Sequence, residues 1–99
     1  MVTVGVFARF ITHPGLEGEV EAFFKEGLAV VEQQPASTRW FAFRLGPTTY
    51  GAVATFANEE DRTALLSTGG PVSAKGHSGL FAQPPTFEKF DVLEARHSG

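Results

Sequence analysis

A stretch near the start of the chain, residues 2–12, is apolar on both of its alternating faces. Read as a strand, it sends Val2, Val4, Val6, Ala8 and Phe10 one way and Thr3, Gly5, Phe7, Arg9 and Ile11 the other. A strand of this kind needs cover on both sides. The material for that cover is limited. Ninety-nine residues make a single domain, residues 1–99, and a domain of that size buries only about two thirds of its unfolded surface. Its aromatic residues are ten Phe, one Trp and one Tyr. So much ring surface in so small a volume is expected to leave some rings facing a partner chain or an apolar ligand.

Proline and glycine cut the chain into six pieces. After a turn at His13-Pro14-Gly15, residues 16–33 place Leu16, Val20, Phe23, Phe24, Gly27, Leu28 and Val31 on one helical stripe. The Glu residues at its start suit the positive end of the helix dipole, and Pro35 stops it. Gly27 within the stripe suggests close packing on a sheet. Residues 38–45 and 48–56 alternate as two strands joined at Gly46-Pro47, which is a hairpin. Asn58 is placed as an N-cap ahead of Glu59, Glu60 and Asp61, for a helix to about Ser67. Gly69-Gly70 ends that helix. Pro71 is placed to open a second one over residues 72–80. Gln83-Pro84-Pro85 is an extended connector, residues 86–95 are the last strand, and residues 96–99 are a tail expected to fray.

The order β-α-β-β-α-β predicts an α+β, ferredoxin-like fold, a four-stranded antiparallel sheet with helices on one face. The other face is also apolar, through Phe7, Ile11, Trp40 and others. Its expected cover is a second copy of the chain, in a symmetric homodimer.

Several function classes fall away on composition. Eight Lys+Arg against 11 Asp+Glu give a net charge of −3, which speaks against a nucleic-acid partner. The absence of cysteine excludes disulfides, thiolate catalysis and cysteine metal sites, and fits a cytoplasmic protein. No apolar run approaches the ~18 residues of a membrane span. The N-terminus has no basic region and no cleavage pattern, so no signal peptide is expected. The three His residues have no paired spacing, so no metal site is expected.

Three stretches carry a family resemblance. The first is Val6-Phe7-Ala8-Arg9-Phe10 through Pro14-Gly15, followed by the acidic helix. The second is Trp40-Phe41-Ala42-Phe43-Arg44-Leu45-Gly46-Pro47, then Phe56-Ala57-Asn58-Glu59-Glu60-Asp61-Arg62. The third is Pro84-Pro85-Thr86-Phe87-Glu88-Lys89-Phe90-Asp91-Val92-Leu93. Together they resemble the antibiotic biosynthesis monooxygenase domain of the dimeric α+β barrel superfamily. The resemblance implies a homodimer whose sheets face each other across a barrel, with a pocket in each protomer between sheet and helices. It also implies oxidation of polycyclic phenols or quinols by O2 without a cofactor, and some relatives degrade haem. The chain departs from the family's commoner pattern at the end of the third strand, where a Glu and a Trp are replaced by Ala54 and Phe56. The following helix reads Ala64-Leu65-Leu66, where a His often precedes a Leu. The Asn that a haem-degrading relative needs in the first strand is missing from residues 2–12.

Cofactor-free oxygenation needs little from a protein. The substrate must lose a proton, its oxyanion must be held, and water must be kept out. His77, between Gly76 and Ser78, is the candidate base by residue type; the plainer reading is an exposed His in a glycine-rich loop. His13 and His97 read as surface. Arg44 and Arg9 each lie inside an apolar strand, and either could hold an oxyanion, pair with a carboxylate such as Asp91, or reach the sheet edge. Trp40 shares a face with Arg44 across the small Ala42, an arrangement that suits a flat ring or, equally, ordinary core packing. Tyr50 offers a hydroxyl to a ligand or to the hairpin, and Phe56 offers an apolar wall. Three functions compete. One is a cofactor-independent monooxygenase acting on a quinol or polyketide-like aromatic. Another is a non-enzymatic dimeric binding protein for an apolar small molecule. The third is a dimeric-barrel isomerase or cyclase. Fold alone does not choose among them.

Overall fold

The computed structural model describes residues 2–96. Its elements are β1 (Val4–Ile11), α1 (Glu17–Val31), β2 (Arg39–Arg44), β3 (Thr49–Phe56), α2 (Glu59–Thr68), α3 (Gly70–Gly76) and β4 (Thr86–Asp91), with a 3-10 turn at Ser78–Leu80. The strands form one antiparallel sheet in the order β2-β3-β1-β4, which is the ferredoxin-like α+β fold. No described helix is long and apolar enough to cross a membrane.

Register decides which residues meet the helices. Val6 pairs with Ala54, Ala8 with Ala52 and Phe10 with Tyr50, so one parity of β1 and β3 makes the floor of the core. All six of these residues are buried. Val20 and Phe23 of α1 close over them, together with Leu65 of α2, Ala74 of α3, and Leu80 and Phe81 beyond it. Asn58 caps α2 as expected, its side-chain oxygen accepting the Asp61 N–H at 2.8 Å.

Trp40 lies on the helix face, not on the open face expected for it. Its register partner is Ala54, and Ala54 points to the helices. Strand parity therefore carries Trp40 inward with Ala42, while Phe41 and Phe43 take the other side. The second short helix also differs from expectation. It begins at Gly70 and stops at Gly76, and residues 78–80 tighten into the 3-10 turn. Leu80 must drop into the core there, and the two glycines at 76 and 79 add no side-chain support for a longer helix. The last strand ends at Asp91, not at residue 95. Asp91 already pairs with Val4, the first residue of β1, and only the Val92 N–H reaches further, to the Thr3 carbonyl. Of the expected tail, Arg96 is exposed, and residues 97–99, His97 among them, lie outside the described residues.

Arg62 is a structural residue that reading the sequence did not single out. It is buried on α2, and its Nη1 donates to the Gly5 and Phe90 carbonyls at 3.2 Å each, while Nη2 pairs with Glu59. It thereby clamps β1 and β4 together under α2. Replacing Arg62 by Met keeps the apolar stem and removes the clamp. The expected loss is about 1–3 kcal/mol of stability, read by urea denaturation. An Arg62→Met protein as stable as the parent would show that the clamp adds nothing.

The face away from the helices is aromatic. Phe7 and Phe43 stack with ring centroids 6.3 Å apart, Phe41 and Phe43 lie 6.1 Å apart, and Phe41 is 60% exposed. The Phe90 and Phe43 rings pack over Gly5 and Gly51, where no side chain would fit. Arg9 rises from the same face, its guanidinium 5.6 Å from the centre of the Phe7 ring.

Candidate functional site

Two spaces flank the aromatic wall between α1 and the sheet. The inner one is a cavity of about 70 Å³. Its floor is built of small residues on neighbouring strands, Ala8, Ala52 and Ala54, and its roof includes Gly27 and Val30 of α1 and Leu65 of α2. Phe56, fully buried, forms part of its wall. No ionisable side chain lines it; among the described residues, the only polar side chains there are Trp40 and Ser73.

The outer space is an open groove of about 780 Å³ between α1 and β2, which is an edge strand. Trp40, Arg44 and Tyr50 line it together. Arg44 and Tyr50 are register partners across β2 and β3, and the Arg44 guanidinium sits 5.4 Å from the centre of the Tyr50 ring. The Arg44 Nε donates to the Gly46 carbonyl at 2.9 Å, and one terminal nitrogen donates to the Pro47 carbonyl at 2.8 Å. That same nitrogen is 3.8 Å from a Glu17 carboxylate oxygen, and both side chains are about half exposed, so the ion pair is weak. The other terminal nitrogen makes none of these bonds. Glu17, Glu21 and Lys25 complete the charged rim, where two acids offset two bases.

Phe24 and Trp40 line both spaces. Their ring centroids are 6.5 Å apart. The Trp40 ring sits against the bare backbone of α1 at Gly27, where an added Cβ would come within 3.3 Å of it. Here the glycine in the helical stripe does what its position suggested, though its neighbour is an indole and not the sheet backbone.

The remaining candidates lie elsewhere. His77 caps α3 and lines a separate hollow with Leu16, Glu19 and Leu80. Its Nε2 is 2.5 Å from a Glu26 carboxylate oxygen, and its ring meets Phe23 edge-on with centroids 5.5 Å apart. It thus joins α3 to α1 from outside. Arg9 is on the opposite face of the sheet from the groove. The structure therefore brings together Trp40, Arg44 and Tyr50, sets Phe56 behind them, and leaves His77 and Arg9 apart. Glu17 and Glu21 read in sequence only as acids off the apolar stripe that suit the helix dipole. The signal for the groove was that the stripe on α1 includes Leu28, which the structure leaves 46% exposed at the groove. Among the described residues no three His, Asp or Glu side chains converge as a metal site requires.

No family model matches the chain, and no curated protein does. Solved structures do. A protein of unknown function from Nitrosomonas europaea, NE2512, is 30% identical, with all of this chain and 97% of that one covered at a TM-score of 0.84. A mutant form of SnoaB, a cofactor-independent oxygenase from Streptomyces nogalater, is 21% identical, with 94% and 95% covered and a TM-score of 0.76. A Caulobacter crescentus protein assigned to the antibiotic biosynthesis monooxygenases is 18% identical, with 94% and 92% covered and a TM-score of 0.75. The fold that the sequence resemblance implied is thus the one found, and the structural neighbours are proteins of the antibiotic biosynthesis monooxygenase family. The chain belongs to one family with the Nitrosomonas europaea protein, and its fold is that of the antibiotic biosynthesis monooxygenases.

Proposed function

We propose that the protein is a cofactor-independent monooxygenase acting on a flat aromatic with an acidic hydroxyl, of the quinol or polyketide-like class. The observation that carries this reading is the meeting of Trp40, Arg44 and Tyr50 in one groove beside an apolar cavity. Trp40 supplies a plate for the ring and Arg44 a cation for the oxygen. A guanidinium beside a substrate phenol favours its anion, and the open groove lets the proton leave to water, with Glu17 and Glu21 at the rim as acceptors. The anion is the electron-rich form that gives an electron to O2. The balance for a ring methylene is CH2 plus O2 giving C=O plus water. One oxygen atom stays on carbon, and the other leaves with both hydrogens. His77 has no part in this scheme, because the hollow it lines is a different one.

The test is oxygen uptake by the purified protein with no added cofactor, against hydroquinones and anthrones. Uptake that depends on the protein and, with an anthrone, yields one new carbonyl per O2 is the expected result. Tight binding without uptake would move the function to a binding protein, the reading favoured by the lack of any ionisable group in the cavity. Turnover that persists without O2 would make it an isomerase or cyclase.

The same reading includes a homodimer. The exposed ring of Phe41 and the half-buried rings of Phe43 and Phe7 form an apolar patch on the open sheet face, and a second copy would bury it symmetrically. Arg9 would then lie within the interface. Light scattering is expected to give twice the chain mass of 10.6 kDa. Phe41→Glu is expected to give the single mass with the fold intact, because Phe41 is exposed and the change puts a charge into that interface and at the edge of the groove. A Phe41→Glu protein that stays dimeric would place the interface elsewhere.

A further inference from the structure

We propose that Trp40 sets which aromatic the site accepts, by acting as a movable wall. The ring enters between sheet and helices, and the indole swings off Gly27 into the groove to make room for it. This deepens the reading of the site as the seat of an aromatic, and rests on it. The starting point is a mismatch of sizes. The inner space is open in part, so a ring can approach it, but it holds only about 70 Å³. A single benzene ring occupies an apolar cavity of ~150 Å³. A polycyclic substrate therefore seats there only if part of the lining yields. The floor cannot yield, because Val6, Ala8, Ala52 and Ala54 are buried on paired strands. Three large rings of the lining are only half-buried: Phe24, Phe87 and Trp40. Phe24 is wedged among Phe10, Phe23 and Tyr50, with centroids 5.6, 5.5 and 6.1 Å away. Phe87 meets Phe10 edge-on, covers the bare backbone at Gly70, and does not reach the groove. Trp40 has one aromatic neighbour among the described residues, Phe24 at 6.5 Å. It stands on β2, which is paired on one side only. It also lines the groove of about 780 Å³, so its ring has a place to go. Gly27 completes the device. An added Cβ there would stand 3.3 and 3.6 Å from two atoms of the six-membered ring of the indole, so the ring rests on helix backbone and no side chain interlocks with it. A substrate draws the indole out only by as much as it binds the opened site better than the closed one. The displacement thus lowers the affinity of any ring that needs it, and a larger ring needs more of it. Trp40 thereby weighs against large ring systems, while the displaced indole still flanks the ring that enters.

The test uses anthrone as the tricyclic probe and hydroquinone as the monocyclic one, under argon so that neither is oxidised. Crystals are soaked with anthrone. The tricycle is expected against Ala52 and Ala54, with the indole moved off Gly27 into the groove. Anthrone that leaves the indole on Gly27, or that does not seat against Ala52 and Ala54, overturns the inference. The Kd of each probe is then measured by calorimetry for the parent and for Trp40→Leu. A smaller wall needs no displacement, so the ratio of the hydroquinone Kd to the anthrone Kd is expected to rise about tenfold, the scale of a methylene or two in an apolar pocket. A fixed plate predicts the reverse, because the larger ring loses the larger contact. A ratio that is unchanged or lowered overturns the inference. Trp40→Phe is the milder change should Trp40→Leu fail to fold, with a rise of about threefold expected on the same grounds. If the indole moves and the ratio rises, yet no aromatic is oxidised in air, the movable wall stands and the monooxygenase reading fails. If oxygen uptake is found while the indole stays on Gly27, the monooxygenase reading stands and the movable wall fails.

Discussion

Replacing Arg44 by Met is expected to lower the rate of oxygen uptake about 100-fold or more, the usual cost of removing one group that stabilises a developing oxyanion. The side chain is half exposed and lies at the end of an edge strand, so the core does not depend on it. Two of its nitrogens hold the Gly46 and Pro47 carbonyls, which fixes the guanidinium over Tyr50 and leaves the remaining nitrogen for a ligand. Arg44→Lys keeps the charge but not the fork that grips the turn, and is expected to retain part of the rate with a raised KM. The stability loss in Arg44→Met is that of two exposed hydrogen bonds, on the order of 1–2 kcal/mol. The measurement is kcat and KM by oxygen electrode, beside a denaturation curve for the same protein. Full activity in Arg44→Met would remove Arg44 from the chemistry and leave it as the clasp of the hairpin turn.

The fold was legible in the sequence because it follows from punctuation and period. Gly46-Pro47 between two alternating runs could only be a hairpin, and Asn58 ahead of three acids could only start a helix. Boundaries were less legible where tertiary contacts set them. The last strand stops at Asp91 because β1 supplies no partner beyond Val4, and nothing within residues 86–95 signals that stop. The face of Trp40 is not legible from its own strand, which alternates aromatic residues on both sides. Only its pairing with Ala54 fixes the parity.

The site was legible in its residue types and not in its assembly. Trp40, Arg44 and Tyr50 stand out by chemistry alone, but Arg44 and Tyr50 become neighbours only through the β2–β3 register. The cavity was hidden for a different reason. Its signal is an excess of small residues, Ala8, Ala52 and Ala54, and a strand reads equally well with alanine as with valine. Only their alignment on adjacent strands beneath Gly27 turns three ordinary positions into a hollow. His77 drew attention by its residue type, and Arg62 escaped it by sitting in a helix that reads as acidic and solvated.

Phe10→Ala is expected to be the most damaging single substitution to the fold. Phe10 is 3% exposed near the C-terminal end of β1. Its ring meets Phe23, Phe24 and Phe87 edge-on at 5.4, 5.6 and 6.0 Å, and stacks on Phe81 at 5.7 Å. Those four partners come from α1, from β4 and from the segment that follows the 3-10 turn, so one ring ties three parts of the chain to the sheet. Removing it takes away its burial and leaves a void that rigid neighbours cannot close, about 3–5 kcal/mol in all. A domain of this size has a total stability of ~5–15 kcal/mol, so the variant keeps a marginal fold at best. The melting temperature is expected to fall by about 12 °C or more. Phe41→Ala, on the open face, is the control: the same chemical deletion is expected to change monomer stability by no more than ~0.5 kcal/mol. A loss below ~1 kcal/mol in Phe10→Ala would mean that the aromatic cluster closes around the gap, and that its order is not what holds the helices to the sheet.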